Sequence, residues 1–200
     1  MHWITLAVSI SICVTLFFAA GCDNPTPADS AGRPAGERAR AIFAGGCFWG
    51  VEHHLQAIPG VISVTSGYIG GIVENPTYTQ VCAGDTGHAE AVEVIYDTSL
   101  VNYDAIAMRF FEVHDPTQLN RQGPDKGTQY RSAVFYHNPA QKAAAEALIA
   151  TLRDNGYDVV TELAPATKFY PAEDYHQDYI KAHPNRLCHA PIPRFDTPAK

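Results

Sequence analysis

The chain has 200 residues, 46% of them apolar and 18% charged, with a formal net charge of −7. That is enough for one globular domain with extensions, and for a core that needs no disulfides. The acidic balance, without a basic cluster anywhere, excludes the electrostatic footprint of a nucleic-acid binder.

The first element is an uncharged apolar run from Trp3 to Ala20, broken only by Thr5, Ser9, Ser11 and Thr15. Its length suits a signal peptide or one membrane span. It closes on Ala19-Ala20-Gly21-Cys22, small residues before a cysteine, which resembles a bacterial lipoprotein signal with Cys22 as the lipid-bearing residue. Ala19 stands where that signal usually has leucine, and no Lys or Arg precedes the run, so an uncleaved anchor helix is the competing reading. Either way, residues 1–22 imply export and attachment to a membrane, on the periplasmic side or in the envelope of a bacterium. Residues 23–38, rich in Pro, Ala and Gly, have tether composition. The folded domain is expected to occupy residues 39–200.

In that domain "RAIFAGG" predicts a buried strand ending in a glycine turn. "FWGVEHHLQAI" predicts a helix with Phe48, Val51, Leu55 and Ile58 on one face, stopped by Pro59-Gly60. "GVISVTSGYIGG" is a second strand, residues 71–87 a loop with a helical turn, and "HAEAVEVIYD" a strand by alternation. "NYDAIAMRFFEVH" is an amphipathic helix capped by Asn102. A polar loop of unusual length, residues 114–129, leads to the strand "YRSAVFYH"; long loops in compact domains are usually functional. Asn138 caps the clearest helix, which Asn155-Gly156 stops. "YDVVTELA" is a last strand and "AEDYHQDYIKAH" a final helix, with a mobile proline-rich tail from residue 185. The order β-α-β, β-α-β, α-β predicts an α+β fold, a ferredoxin-like split β-α-β sheet with helices packed on it.

Three of the five cysteines, Cys47, Cys82 and Cys188, fall in the domain. An odd count in an exported chain leaves at least one free thiol. No CxxC pair exists, and the spacing is poor for a zinc site, so no metal is expected. One structural disulfide plus one buried thiol is the bland reading. Cys47 is more suggestive. It follows Gly45-Gly46 and falls in the first turn of a predicted helix, where free amides lower a thiol pKa. Phe48 and Trp49 offer an apolar wall beside it, or are simply core. In "HAEAVEVIY" Glu90 shares a face with Val92, Val94 and Tyr96; if that face is buried, the carboxyl stays protonated and can act as a general acid. Exposure at the strand end is the alternative. Tyr78, Asp125 and Tyr130 sit in or beside loops, where phenols can hold an oxygen without changing charge.

Together "GGCFWGVE", "YIGG", "NPTY", "TGHAE", "GTQYRSA" and "AEDYHQDY" resemble the A-type peptide methionine sulfoxide reductases, from about Arg40 to Cys188. The resemblance implies a Cys47 nucleophile, Glu90 as acid, Tyr78 and Tyr130 on the sulfoxide oxygen, Asp125 in support, and Phe48 and Trp49 around the S-methyl group. It implies methionine S-sulfoxide, free or in proteins, as substrate, with no cofactor. Cys47 would end as a sulfenic acid. Cys188, in the tail, would resolve it as a Cys47–Cys188 disulfide recycled by a thioredoxin-like donor. Cys82 would be a bystander, and a monomer is expected. Two rival readings remain at this point. One is an exported binding module with a structural Cys47–Cys188 disulfide. The other is a thiol peroxidase, which would have no use for the Phe48–Trp49 wall.

Overall fold

The computed structural model describes residues 36–186 and 188–199; the apolar run, Cys22 and nearly all of the tether lie outside them. The expected core order is observed: β1 (Arg38–Gly45), α1 (Phe48–Gln56), β2 (Val61–Ile69), α2 (Tyr78–Ala83), β3 (Ala89–Asp97), α3 (Tyr103–Val113), β4 (Arg121–Gln122), β5 (Asp125–Lys126), β6 (Ser132–Tyr136), α4 (Pro139–Asp154), β7 (Glu162–Pro165), β8 (Tyr170–Pro171) and α5 (Tyr179–Ala182). The main sheet runs β7-β6-β1-β3-β2-β8. Its centre, β6-β1-β3-β2, is antiparallel throughout and has the ferredoxin-like strand order, and β7 adds to β6 in parallel.

Alternation along β1 sorts the two faces. Ala41 and Phe43 join the larger core under the helices with Phe48, Val51 and Leu55 of α1 and Ile106 and Phe110 of α3. Ile42 and Ala44 point the other way, into a smaller cluster roofed by Ala164, Ala166 and Phe169. Phe110 stacks on Phe43 at 4.8 Å and on His114 at 4.2 Å, which ties α3 to the end of β1 where the site begins. Asn102 and Asn138 cap their helices as predicted, each accepting a backbone N–H three residues on at 2.9 Å.

The strand expected over "YDVVTELA" shrinks to β7, Glu162–Pro165, and two further predicted elements change form. The helix expected over "AEDYHQDYIKAH" is a 3₁₀ turn at Asp174–His176 and the single turn α5, separated by Asp178 with φ +52°. Tertiary bonds outcompete the helix here. Gln177 takes the Ser66 N–H on its Oε1 at 2.9 Å and gives its amide to the Ser66 and Ala172 carbonyls, and the Asp178 N–H goes to Glu52 Oε2 at 3.1 Å. The long loop, in turn, contains the small hairpin β4–β5 and a 3₁₀ turn at Thr128–Tyr130, because Gln122 bonds both the N–H and the carbonyl of Asp115. The tail expected to be mobile is irregular, yet it is laid on the body. Arg194 donates to the Phe111 and Glu112 carbonyls at the end of α3, and Asn155 bonds the carbonyls of Arg194 and Phe195.

Gln177→Ala should cost about 2 kcal/mol, since it strands the buried Ser66 backbone N–H. Urea unfolding of the two proteins measures it, and an unchanged midpoint would mean that Gln177 does not secure this segment.

Candidate active site

The site is built around the junction of β1 and α1. Gly46, at φ +86°, turns the chain, and Cys47 follows as the residue just before the helix, not inside its first turn as the sequence suggested. Cys47 has no side-chain oxygen with which to cap α1, so the first amides of the helix are free to serve other groups. The Phe48 N–H goes to Glu90 Oε2 at 3.3 Å. The Trp49 and Gly50 amides act on the sulfurs of Cys47 and Cys188 respectively.

Glu90 is 2% exposed, on the β3 face it shares with Val92, Val94 and Tyr96. Its strand-end position does not expose it, because α1 covers it. Burial pushes its carboxyl up to about 8 against the opposing Phe48 N–H, with the Asp125 charge adding to the rise. It is therefore a protonated acid at neutral pH. Tyr78 is the first residue of α2, whose Thr77–Gln80 capping box fixes the helix start. Tyr130 ends the 3₁₀ turn of the long loop, and Asp125 starts β5. Burial raises the hydroxyls of both tyrosines, so both remain donors, and it raises the Asp125 carboxyl as well.

All the residues singled out from the sequence as site candidates in the domain meet in one cavity of about 230 Å³, whose walls are Cys47, Phe48, Trp49, Tyr78, Glu90, Asp125, Tyr130, Cys188 and one further residue, Arg186. Cys82 is outside it, exposed, with its sulfur against the Tyr78 hydroxyl. Cys47 and Cys188 are free thiols whose sulfurs lie 3.7 Å apart. The expected lowering of the Cys47 thiol is not what this geometry produces. The bond to Cys188, then burial, then the Cys188 and Glu90 charges raise it, and the Trp49 N–H offsets only part. Cys188 is the lowered partner, through its bond to Cys47 and the Gly50 N–H.

Supporting residues went unnoticed in the sequence. Glu173 takes the Tyr68 hydroxyl and the Tyr78 N–H, each at 2.9 Å, which holds α2 over the site; these bonds outweigh its burial and lower its carboxyl. His176 accepts the Trp49 indole N–H at 3.1 Å, and Tyr179 stacks on the indole at 3.7 Å and 11°. Glu173, His176 and Tyr179 all sit in "AEDYHQDY", a stretch rich enough in aromatic and acidic side chains to have flagged them. Among the described residues no group of three or more His, Cys, Asp and Glu could hold a metal ion.

The sequence profile of a family described as "Peptide methionine sulfoxide reductase" matches residues 39–199. The chain is 55% identical to "Peptide methionine sulfoxide reductase MsrA" of Acinetobacter baumannii (strain AYE) over 155 residues, 77% of this chain and 90% of that protein. Among solved structures it resembles Mxr1 from Saccharomyces cerevisiae in reduced form, with TM-score 0.72, 34% identity, and 78% and 92% of the two chains covered. It also resembles methionine sulfoxide reductase A of Corynebacterium diphtheriae, with TM-score 0.68, 38% identity, and 78% and 79% covered.

Because Glu90 titrates near 8 when folded, against 4.5 for a free glutamate, folding favours its protonated form. Its contribution to stability is complete below pH 4.5 and declines as pH rises to about 8. Glu90→Gln, which cannot ionise, should gain on the wild type over that window and run parallel to it above. Thermal melts from pH 4 to 9 test this; a constant difference would mean that Glu90 is not a buried acid.

Proposed function

The chain belongs to the peptide methionine sulfoxide reductase family, and from that premise we propose that it reduces methionine S-sulfoxide, free or in proteins, through Cys47, Glu90 and Cys188. The observation that carries this reading is the convergence of two thiols, a protonated carboxyl and two phenols on one small cavity.

In the first step the Cys47 sulfur attacks the sulfoxide sulfur while Glu90 gives its proton to the sulfoxide oxygen. Tyr78 and Tyr130 donate hydrogen bonds to that oxygen as charge gathers on it, and Asp125 supports them. Phe48, backed by Tyr68 and His176, and Trp49, clamped by His176 and Tyr179, wall the S-methyl group. The sulfoxide gains two electrons and leaves as the thioether. Cys47 loses two and keeps the oxygen as a sulfenic acid. Cys188 then displaces that oxygen as water, which closes a disulfide, and a thioredoxin-like dithiol reopens it. The 3.7 Å sulfur contact supports Cys188 as the resolving thiol. The rival binding module has no support: the family match covers the whole domain, and the protonated carboxyl and two phenols beside the thiols serve a reaction that a structural disulfide would not need.

We also propose that residues 1–22 export the domain, with Cys22 as lipid site or the run as anchor, and residues 23–38 as the tether. The apolar run and the Ala-Ala-Gly-Cys sequence support this. The reductant then has to be one that delivers thiols outside the cytoplasm.

Steady-state assays with methionine S-sulfoxide should show Cys47→Ser inactive and Cys188→Ser active with dithiothreitol but not with thioredoxin. Glu90→Gln should be slower by at least ~100-fold, and wild-type kcat/KM should fall above about pH 8 as Glu90 ionises. Undiminished thioredoxin-driven turnover by Cys188→Ser, or a flat alkaline limb, would refute these roles. For export, the N-terminus of the membrane-associated protein should begin at a lipid-modified Cys22 or retain the intact run. A chain found only in the soluble cytoplasmic fraction would overturn it.

A further inference from the structure

Cys188 is exposed, but the next residue, His189, is buried. The His189 ring gives its Nε2–H to the Gly45 carbonyl at 3.1 Å, and its own carbonyl accepts from His54 Nε2 at 3.0 Å. The ring is pressed against α1 at Gly50, where a Cβ would overlap its Nδ1. That Nδ1 is buried with no hydrogen-bond partner. Leaving a polar atom stranded disfavours the arrangement, and an apolar residue of similar size would avoid it. What an apolar residue could not supply is the Nε2–H bond to Gly45.

The contact points matter for what they flank. Gly45 and Gly50 lie on the same short stretch of chain as Cys47, one on each side of it. A tail fixed to both is fixed in the frame of the nucleophile itself. We propose that His189 is a positioning residue for the resolving step: its ring, seated on Gly50 and bonded to Gly45, holds the Cys188 sulfur within attack distance of Cys47.

The inference rests on the function proposed above. In the step it serves, the Cys188 sulfur forms a bond to the Cys47 sulfur and the Cys47 S–O bond breaks. The oxygen leaves as hydroxide and takes the Cys188 proton to become water. Cys188 is oxidised and the sulfenic sulfur reduced, with no further oxidant. Adjacent Cα atoms are only about 3.8 Å apart, so pinning His189 confines Cys188 to a small volume. A free tail would spread the thiol over a far larger one and lower its effective concentration at Cys47. The next attachments of the tail, from the Ile192 N–H to the Glu112 carbonyl and then at Arg194, come further along the chain and leave Cys188 more room.

The test is a single turnover of the reduced full-length chain with methionine S-sulfoxide and no added reductant. The reaction is quenched with a thiol-alkylating reagent, and methionine released and thiols lost are counted over time. Wild type should release about one methionine per chain and close the disulfide without accumulating sulfenic acid. His189→Ala should release methionine within about 2-fold of the wild-type rate but close the disulfide ~10-fold more slowly, with a sulfenic acid that a 1,3-dione traps. Gly50→Ala, which displaces the ring, should share that defect. His189→Gln, which keeps an N–H at a similar reach, should recover part of the rate. Disulfide closure at the wild-type rate in His189→Ala overturns the proposal. So does loss of methionine release in both His189→Ala and Gly50→Ala, which would make the ring part of the fold or of the first step. No methionine from the wild type would instead strike down the function on which the proposal rests.

Discussion

The start of α1 is the constraint on which the site depends. A helix leaves its first amides without intrahelical partners, and most helices satisfy one with a side-chain oxygen at the cap. Here the cap position is a cysteine, which makes no such bond. The Phe48 amide goes to the carboxyl of Glu90, and the Trp49 and Gly50 amides act to lower the thiols of Cys47 and Cys188. One helix end thus holds the acid and acts electrostatically on both thiols.

That arrangement needs an environment that keeps its protons where the chemistry wants them. Burial holds Glu90 protonated near neutrality, the state in which it can give a proton away. The two thiols share one hydrogen bond, which raises Cys47 and lowers Cys188 while both are reduced. The 3.7 Å sulfur contact places the second thiol beside the first without any rearrangement of the chain.

The rest of the fold serves as scaffolding for this end. The antiparallel β1–β3 pair brings Glu90 beside the start of α1. Glu173 joins Tyr68 on β2 to the start of α2 and so sets Tyr78 over the cavity, while His176 and Tyr179 lock the Trp49 indole. A second buried carboxyl, Glu52 on α1, takes the Asp178 N–H and fixes where that C-terminal segment turns. Burial raises Glu52 to about 7, so the back of the helix is also kept close to neutral.

Local signals were sufficient wherever the deciding contacts are near in sequence. Helical periodicity and the Asn102 and Asn138 caps delimited α3 and α4, and alternation in "HAEAVEVIY" placed Glu90 on the apolar face of β3, because both patterns are set within a few residues. The family motifs named the residues that line the cavity. Other features were decided by contacts between residues far apart in the chain, to which no local pattern refers. The expected final helix gave way because Gln177 and Asp178 found partners on β2 and α1. The tail looked mobile because its prolines forbid regular structure, yet His189 and Arg194 secure it to carbonyls 144 and 83 residues away. The Cys47 thiol, lowered by a helix start considered alone, is raised once Cys188 and burial act on it. Residue types and their local spacing therefore determined the elements and the chemistry available. Only the tertiary structure decided the protonation and reach of those groups, since both depend on what is packed against them.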